Sequence, residues 1–276
     1  MTKIPETIDQ LQLKLDGSVL YMTLNDPESR NALSEDLLDD LIRVLAEIKD
    51  NLGISTVVVR GAGGVFCAGG NLKGFAQQSN SGTGDNSQLK REIADGNWRV
   101  GRGLFNGFNR LPQTVIMVTE GAAMGGGVGL ACCSDVTITS KDCKFSTTET
   151  SLGLVPAQIA SFVIQRVGLT EARRMMLTGV RFNGEEAKRL GIAHFCEEDT
   201  EAVNSRLEKV LASIQRCGPQ ANRMTKELMF HYMDHGLEPT LEFAGDLFAQ
   251  CMLGDETREG LAAFIEKRKP SWASGE

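Results

Sequence analysis

The chain has little that would place it in a membrane, outside the cell or on nucleic acid. It contains no run of about 18 apolar residues, and residues 1–16 show neither an apolar run nor a cleavage-site pattern. Lys and Arg number 29 against 36 Asp and Glu, a net charge of −7 without a long basic run. We therefore expect no membrane span, no secretory signal and no nucleic-acid partner, and a cytoplasmic location.

The cysteines give no sign of a disulfide framework. They are seven, an odd number, and no two have the C-x-x-C spacing. In a chain of this length, such a set predicts buried, reduced thiols in a cytosol-like compartment. The residues are Cys67, Cys132, Cys133, Cys143, Cys196, Cys217 and Cys251.

Several catalytic signatures are also missing. The chain has no phosphate-binding G-x-x-x-x-G-K-[ST] loop, no G-x-G-x-x-G run and no G-x-S-x-G nucleophile elbow. His231 and His235 are one helical turn apart, but the glutamate of H-E-x-x-H and a third ligand are missing. These absences weaken the case for a nucleotide triphosphatase and for a serine hydrolase, and they predict no metal site.

The apolar pattern predicts an α/β core followed by helices. Turn signals follow the first strand, and Ser34 has the position of an N-cap before an apolar helix face. Residues 77–88 are rich in Ser, Gly and Asn and predict a mobile loop. From about residue 158 the pattern is helical, with Asn183 opening one helix and two more near the end. The predicted strands are 19–24, 56–59, 114–118 and 135–139, and the last two predicted helices are 237–253 and 257–267.

Two glycine-rich runs each follow a predicted strand. They are residues 60–73, RGAGGVFCAGGNLK, and residues 120–131, EGAAMGGGVGLA. Glycines where a strand leads into a helix allow a close approach to a ligand, and the first helical N–H groups there have no intrahelical acceptor. Such a place can bind an anion or a developing oxyanion. The alternative, that the glycines serve only tight turns and packing, stays open for either loop alone.

Together these and other blocks resemble the crotonase, or enoyl-CoA hydratase/isomerase, superfamily. The resemblance is carried in family order by FCAGGNLK at 66–73, GAAMGGG at 121–127, SD at 134–135, ETSLGLVP at 149–156, LTG at 177–179 and EKRKPSW at 266–272. It implies a spiral of ββα units with a helical C-terminal trimerisation region. We expect an α/β core over 1–200, a helical region over 201–276, and a homotrimer or homohexamer.

The resemblance implies an acyl-CoA thioester as substrate and no separate cofactor, because coenzyme A belongs to the substrate. The backbone amides of Gly70 and Gly126 would hold the thioester oxygen while C2 becomes carbanionic. Asn71 stands where the family usually has Asp. The residues that the resemblance assigns to substrate and coenzyme A binding are Arg30, Ala32, Ala68, Gly70, Asn71, Leu72, Lys73, Gly126, Phe264 and Lys267.

The acid–base residues depart from the hydratase pattern of the family. That pattern has two glutamates, of which Glu149 matches one, while Gly129 stands at the position of the other. A single glutamate is typical of the Δ3,Δ2-enoyl-CoA isomerases. The amino-acid sequences of the second glycine run and of residues 154–160 nevertheless look more like those of bacterial hydratases. These hydratases act on branched CoA substrates of the isohexenylglutaconyl or methylglutaconyl type. In that interpretation Gly129 opens room for a bulky or carboxylated acyl group, and Thr148 or Gln158 helps to bind the water.

Three hypotheses remain. We expect a hydratase that adds water to a 2-enoyl-CoA with Glu149 as acid and base. The first alternative is an isomerase that uses Glu149 alone. The second is a non-catalytic acyl-CoA-binding protein, which the missing carboxylate at position 129 would permit.

Overall fold

The computed structural model describes residues 10–80 and 86–273 and shows strands and helices that alternate through the first two thirds of the chain. The strands predicted from the apolar pattern are all present, and further short strands join them. The strands are β1 (Leu11–Asp16), β2 (Val19–Leu24), β3 (Thr56–Gly61), β4 (Thr114–Thr119), β5 (Ala122–Met124), β6 (Val136–Ser140), β7 (Lys144–Ser146) and β8 (Phe195–Glu197).

Helices connect these strands and make up most of the C-terminal part. A five-residue π-helical segment, Gly101–Phe105, joins two of them. A short 3₁₀ turn, Glu149–Leu152, lies between β7 and the long helix α6. The α-helices are α1 (Glu35–Ile48), α2 (Leu72–Asn80), α3 (Ser87–Val100), α4 (Asn106–Asn109), α5 (Gly126–Cys132), α6 (Ala160–Thr178), α7 (Gly184–Arg189), α8 (Thr200–Ile214), α9 (Pro219–His235), α10 (Leu237–Leu253) and α11 (Asp255–Ile265).

The main sheet has six strands in the order β1-β2-β3-β4-β6-β8, and β5 and β7 form a small second sheet. All neighbours in the main sheet are parallel except β1 and β2. In register, Leu24 at the end of β2 pairs with Gly61 at the end of β3. The carboxyl ends of β2, β3 and β4 therefore meet at one edge, and the loops that leave them start side by side.

The central strands of the main sheet are buried on both faces, whereas the edge strand β1 is largely exposed. Val57 and Val59 of β3 belong to the large core that includes α1, while Val58 points to the other face and packs with residues of α8. A strand buried on both sides is expected to be a continuous β-branched run rather than an alternating one. This explains why 56–59 was recognisable as a strand, and it confirms the predicted α/β class.

Local capping signals also agree with the structure. The Ser34 side chain accepts a hydrogen bond from the Leu37 N–H at 3.3 Å, and the Asn183 side chain accepts one from the Glu186 N–H at 3.1 Å. Each residue stands immediately before its helix, in the extended backbone conformation of an N-cap. The predicted starts of α1 and α7 are therefore confirmed.

Other expectations need correction. Residues 77–80 complete α2 and residues 87–88 begin α3, so helix replaces much of the predicted loop; 81–85 lie outside the described residues. Helix α11 begins and ends two residues earlier than expected, at Asp255 and Ile265. Among the thiols, Cys217 is exposed and Cys196 and Cys251 are only half-buried, whereas the other four are buried as predicted. The division at residue 200 stays a prediction.

Two long cations attach helix α9 to the loops that precede strands β3, β4 and β6. The Arg223 guanidinium donates to the carbonyls of Asn51 and Ile54 at 2.7 and 2.6 Å. Lys226 donates to the Asp135 carboxylate at 2.6 Å and to the Gln113 carbonyl at 3.1 Å. Burial lowers the pKa of both cations, and Asp135 opposes that effect at Lys226.

None of the described helices is both long and apolar enough to cross a membrane.

We expect Arg223→Ala to lower the free energy of unfolding by about 2–4 kcal/mol, because two buried carbonyls lose a charged donor. The measurement is urea denaturation followed by circular dichroism. The control is Arg43→Ala, which removes an exposed pair with Asp40 and should change stability by less than about 0.5 kcal/mol. Equal effects of the two substitutions would contradict this account of Arg223.

Candidate active site

The loops that follow β2, β3 and β4 are joined to one another at the carboxyl edge of the sheet. Phe66 N–H donates to the Glu120 carbonyl at 2.9 Å, and Cys67 N–H to the Ala122 carbonyl at 3.0 Å. Met124 N–H returns to the Cys67 carbonyl at 2.9 Å. The two glycine-rich loops are thus paired like short parallel strands.

The turn after β2 is attached to the first glycine loop by Asn31. Its side chain donates to the carbonyls of Ala62 and Val65 at 3.0 and 2.6 Å and accepts from the Asp26 N–H at 2.8 Å. Arg30 and Asn31 both have left-handed backbone, with φ of 60° and 57°, a conformation that Asn tolerates better than most residues. This turn brings Arg30 beside Ala68, whose N–H donates to the Arg30 carbonyl at 3.0 Å.

Gly69 and Gly70 pass close to other parts of the chain. Gly69 has φ of +95°, and a Cβ there would lie 2.8 Å from the Met124 carbonyl oxygen. Gly70 bridges to Leu33, but the bond at that bridge runs from the Leu33 N–H to the Gly69 carbonyl, at 2.8 Å. Among the described residues the Gly70 N–H donates to no backbone carbonyl, and the Phe75 ring packs against this glycine, where a Cβ would lie 2.7 Å from Phe75 Cε2.

Gly126 is the first residue of α5. Its N–H lies at the positive end of the helix, where intrahelical acceptors are missing. Gly125 precedes it with φ of +48° and donates to the Ser146 carbonyl at 2.8 Å. A Cβ on Gly126 would lie 2.8 Å from Leu33 Cδ1. Leu33 therefore touches both predicted oxyanion positions, next to Gly70 in the backbone and over Gly126 with its side chain.

Glu149 begins the 3₁₀ turn after β7, and its carboxylate lies against the second glycine loop. A Cβ on Gly125 would be only 3.0 Å from Glu149 Oε1 and 3.6 Å from Thr148 Oγ1. The carboxylate can approach this closely because position 125 has no side chain. The predicted base thus lies next to the residue that precedes the predicted oxyanion donor Gly126.

The Glu149 side chain is half-buried beside the second glycine loop. Burial raises its pKa, and a hydrogen bond from its own backbone N–H only partly opposes the rise. Its Oε2 is buried and has no hydrogen-bond partner among the described residues. Such an oxygen is ready to accept a proton or a hydrogen bond from a bound molecule.

The space next to Gly129 is filled, so the expectation that Gly129 opens room for a bulky acyl group is wrong. A Cβ at this position would overlap Ile159 Cγ2 and come within 2.8 Å of Phe105 Cε1. Ile159 is only 1% exposed, and Phe105 is fully buried and stacks with Phe162 at 6.2 Å between ring centroids. The place where the family resemblance puts a second carboxylate is therefore apolar core.

Most of the predicted coenzyme A-binding residues lie around the first glycine loop. Asn71 caps α2, because its side chain accepts from the Gly74 N–H at 3.2 Å. Leu72 and Lys73 follow in the first turn of that helix, and both are exposed. Arg30 is exposed and Ala32 half-buried across the loop. The structure thus brings Arg30, Ala32, Ala68, Gly70, Asn71, Leu72 and Lys73 together in one region.

Phe264 and Lys267 are not brought to this region by the contacts of this chain. Phe264 lies in α11, which packs on α10, and is 84% exposed. Lys267 was expected on the helix but lies beyond its end, with left-handed backbone at φ 55°. No described hydrogen bond or ion pair links either side chain to the glycine loops.

Four important neighbours of the site were missed from the sequence. They are Asn31, Leu33, Phe105 and Ile159, and their roles depend on contacts between distant parts of the chain. The only local signal was the sequence Asn25-Asp26-Pro27, which predicted a turn after β2 but not the polar side chain that stabilises it. Phe105 ends the π-helical segment, a feature often found near functional sites that no sequence pattern announced.

The two histidines of α9 have other partners. The His231 ring stacks on Phe243 at 4.2 Å and its Nδ1 lies 2.9 Å from Thr240 Oγ1. Within the ranges 10–80 and 86–273, no three His, Cys, Asp or Glu residues are grouped as metal ligands. Cys132 and Cys133 are buried, which raises the pKa of both thiols, that of Cys132 to about 12.

Two glycine loops beside a half-buried carboxylate, on an α/β core with a mixed sheet, are the features of a crotonase-type protein. The family model for enoyl-CoA hydratase/isomerase matches residues 14–275. The chain belongs to the enoyl-CoA hydratase/isomerase family, and the crotonase fold expected from the sequence is confirmed by its structural neighbours.

Relatives and solved structures agree on this assignment. The solved structure of AtuE from Pseudomonas aeruginosa is 44% identical, with a TM-score of 0.90, and the match covers 96% of this chain and 100% of that one. The short-chain-enoyl-CoA hydratase of Clostridium acetobutylicum is 27% identical, with 95% of this chain and 97% of that protein covered. The peroxisomal Delta(3,5)-Delta(2,4)-dienoyl-CoA isomerase of Arabidopsis thaliana is 28% identical, with 97% of both covered.

We expect Gly129→Ala to lower the free energy of unfolding by about 1–3 kcal/mol, because its methyl group overlaps Ile159 and Phe105. The double substitution Gly129→Ala/Ile159→Ala should be less destabilised than the sum of the two single changes, since the truncated side chain makes room. Denaturant titrations of the four proteins measure this coupling.

The matched control is Gly96→Ala in α3, where an added Cβ would meet nothing within 4 Å. That change should be neutral or stabilising by up to about 1 kcal/mol, because alanine is the better helix former. Additive effects at positions 129 and 159 would contradict the packing described.

Proposed function

We propose that the chain is a hydratase that adds water across the double bond of a 2-enoyl-CoA. The observation that carries the proposal is the buried, unpartnered Oε2 of Glu149 beside the second glycine loop. Names of hydratases are more common than those of isomerases among the relatives.

In the proposed reaction, the N–H groups of Gly70 and Gly126 bind the thioester oxygen. Glu149 takes a proton from water while the water oxygen bonds to C3, and the electron pair of the double bond moves to the enolate oxygen. The protonated Glu149 then gives its proton to C2, and the carbonyl re-forms. One carboxylate thus serves as base and then as acid, and both amides stabilise the charge only when it develops.

We also propose that the acyl group is branched, of the glutaconyl type. The proposal draws on the sequence blocks quoted above and on the apolar side chain of Leu33, which lies against Gly126. Such a side chain suits the hydrocarbon part of a branched chain. A carboxylate on the acyl group would need a cationic partner in the protein. Arg30 and Lys73, which are exposed near the first loop, are the candidates for that partner.

A second candidate, isomerisation of a 3-enoyl-CoA, is favoured by the apolar filling beside Gly129. Here Glu149 removes a proton from C2 and returns it to C4 as the double bond moves. Only one base is needed, so the missing second carboxylate is no obstacle. A non-catalytic acyl-CoA-binding role, the third hypothesis, predicts tight coenzyme A binding without turnover.

We expect the purified protein to add one water to a branched glutaconyl-type 2-enoyl-CoA, and Glu149→Gln to reduce that rate by about 10²–10⁴-fold. Products from crotonyl-CoA, the branched substrate and a 3-enoyl-CoA are resolved by mass. Because burial raises the pKa of Glu149, kcat/KM for hydration should fall with decreasing pH through a pKa above the ordinary glutamate range.

The control is Glu92→Gln, a change in an exposed α3 residue whose partner is Gln88, which should leave the rates unchanged. Conversion of the 3-enoyl-CoA without gain of water, also lost in Glu149→Gln, would replace hydration by isomerisation. Tight coenzyme A binding with no turnover of any thioester would overturn both.

The proposed assembly is a homotrimer or a pair of trimers, formed through the C-terminal helices. Large apolar side chains stand exposed on α10 and on α11, and exposed apolar side chains in such number are usually covered by a partner. In such an assembly Phe264 and Lys267 would reach the coenzyme A of a neighbouring copy. The exposed side chains are Leu237, Leu241, Phe248, Met252, Leu253, Leu261, Phe264 and Ile265. A cytoplasmic location, supported by the buried free thiols, completes the proposal.

We expect sedimentation velocity to give the mass of three or six chains, and Phe264→Ser to weaken coenzyme A binding by about 3–10-fold, the loss of roughly 1 kcal/mol. Isothermal titration calorimetry measures the affinity. Leu52→Ser, at an exposed site outside the C-terminal helices, should leave mass and affinity unchanged. A monomer that binds coenzyme A as tightly in both variants would contradict the assembly.

A further inference from the structure

Two hydroxyl groups bracket Glu149 and attach its turn to the C-terminal end of α6. Thr150 Oγ1 donates to the Met176 carbonyl at 2.7 Å. Ser146 Oγ donates to the Gly179 carbonyl at 2.9 Å. Ser146 is buried and lies three residues before Glu149, whereas Thr150 follows it directly. The backbone that carries the base is therefore fixed on both sides.

The end of α6 offers these acceptors because the helix stops there. Gly179 has left-handed backbone, and its N–H turns back to the Met175 carbonyl at 3.0 Å. The carbonyls that follow Met175 have no intrahelical donor, as at every helix C-terminus. Thr150 satisfies one of them, so the bond stabilises the helix end as well as the Glu149 turn.

The first half of α6 holds the helix that begins with Gly126. Arg166 donates to the Cys132 carbonyl at 3.0 Å and also to the Ser134 carbonyl, beyond the last residue of α5. Gly168, with φ of 75°, interrupts α6 between this contact and the Glu149 turn. One element thus touches the helix of the predicted oxyanion donor with one half and the segment of the base with the other.

Ser146 adds a direct link between the second glycine loop and helix α6. Its carbonyl accepts the Gly125 N–H at 2.8 Å, while its hydroxyl reaches α6. We infer that Ser146 and Thr150 are positioning residues, which hold the Glu149 carboxylate in place over the second glycine loop by anchoring its turn to α6. The inference rests on the proposed role of Glu149 and adds the part of the fold that places it.

The test compares Thr150→Val, which keeps the shape and removes the hydroxyl, with Thr150→Ser, which keeps the hydroxyl. We expect Thr150→Val to lower kcat about 5–20-fold with KM within about twofold, the loss expected for one hydrogen bond. Its pH profile should shift to lower pH, because a looser turn admits water and relieves the burial that raises the pKa of Glu149. Thr150→Ser should recover most of the rate.

The matched control is Thr178→Val. Thr178 Oγ1 donates to the Arg174 carbonyl at 2.6 Å within α6 itself, so this change removes a hydroxyl at the same helix end without touching the Glu149 turn. It should leave kcat and the pH profile unchanged. If Thr150→Val also leaves both unchanged, or if Thr150→Ser is as impaired as Thr150→Val, the positioning role is wrong.

A second measurement does not depend on turnover. The side-chain carboxyl ¹³C resonance of Glu149, assigned by its absence in Glu149→Gln, gives the pKa of this group directly. We expect a lower pKa in Thr150→Val than in the unmodified protein, and an unchanged one in Thr178→Val. An unchanged pKa in Thr150→Val would overturn the inference, whereas full activity of Glu149→Gln would overturn the proposed function instead.

Discussion

The close pairing of two glycine-rich loops is the constraint on which the site depends. Cys67 and Ala123 pair across the loops, and Gly69 packs so tightly on the Met124 carbonyl that a side chain would not fit. This pairing is possible because β3 and β4 are parallel neighbours that end at the same edge of the sheet. It places the amides of Gly70 and Gly126 on adjoining segments, which a single loop could not do without strain.

Rigidity around these loops comes from side chains that take no part in the proposed chemistry. Asn31 ties the turn after β2 to the first loop, and Leu33 covers both glycine positions. On the other side Arg166 fixes the end of α5. Electrostatic stabilisation of an oxyanion is effective only if its donors are already in place, so these neighbours are as necessary to the site as the amides themselves.

The sequence allowed the glycine loops, the main strands and the helix caps to be predicted, because each depends on a few neighbouring residues. Val57 to Val59 are a β-branched run typical of a buried strand, and Ser34 caps its helix by reaching only three residues ahead. The filling beside Gly129 was not predictable in this way. Ile159 is thirty residues away and Phe105 lies in a π-helical segment, so only the folded chain shows that they occupy the space that the glycine leaves.

The packing of Ile159 and Phe105 beside Gly129 bears on the missing second carboxylate. Gly129 and Ile159 are complementary in volume, since one can be large only if the other is small. At this position the chain therefore has packed hydrocarbon where the hydratase pattern has a carboxylate. A closed, apolar place holds no water of its own, so in the proposed hydration the water is bound by Glu149 from the other side, where Thr148 or Gln158 stays the predicted helper. In the proposed hydration, the geometry of the Glu149 turn, and hence its attachment to α6, sets the direction from which that water attacks.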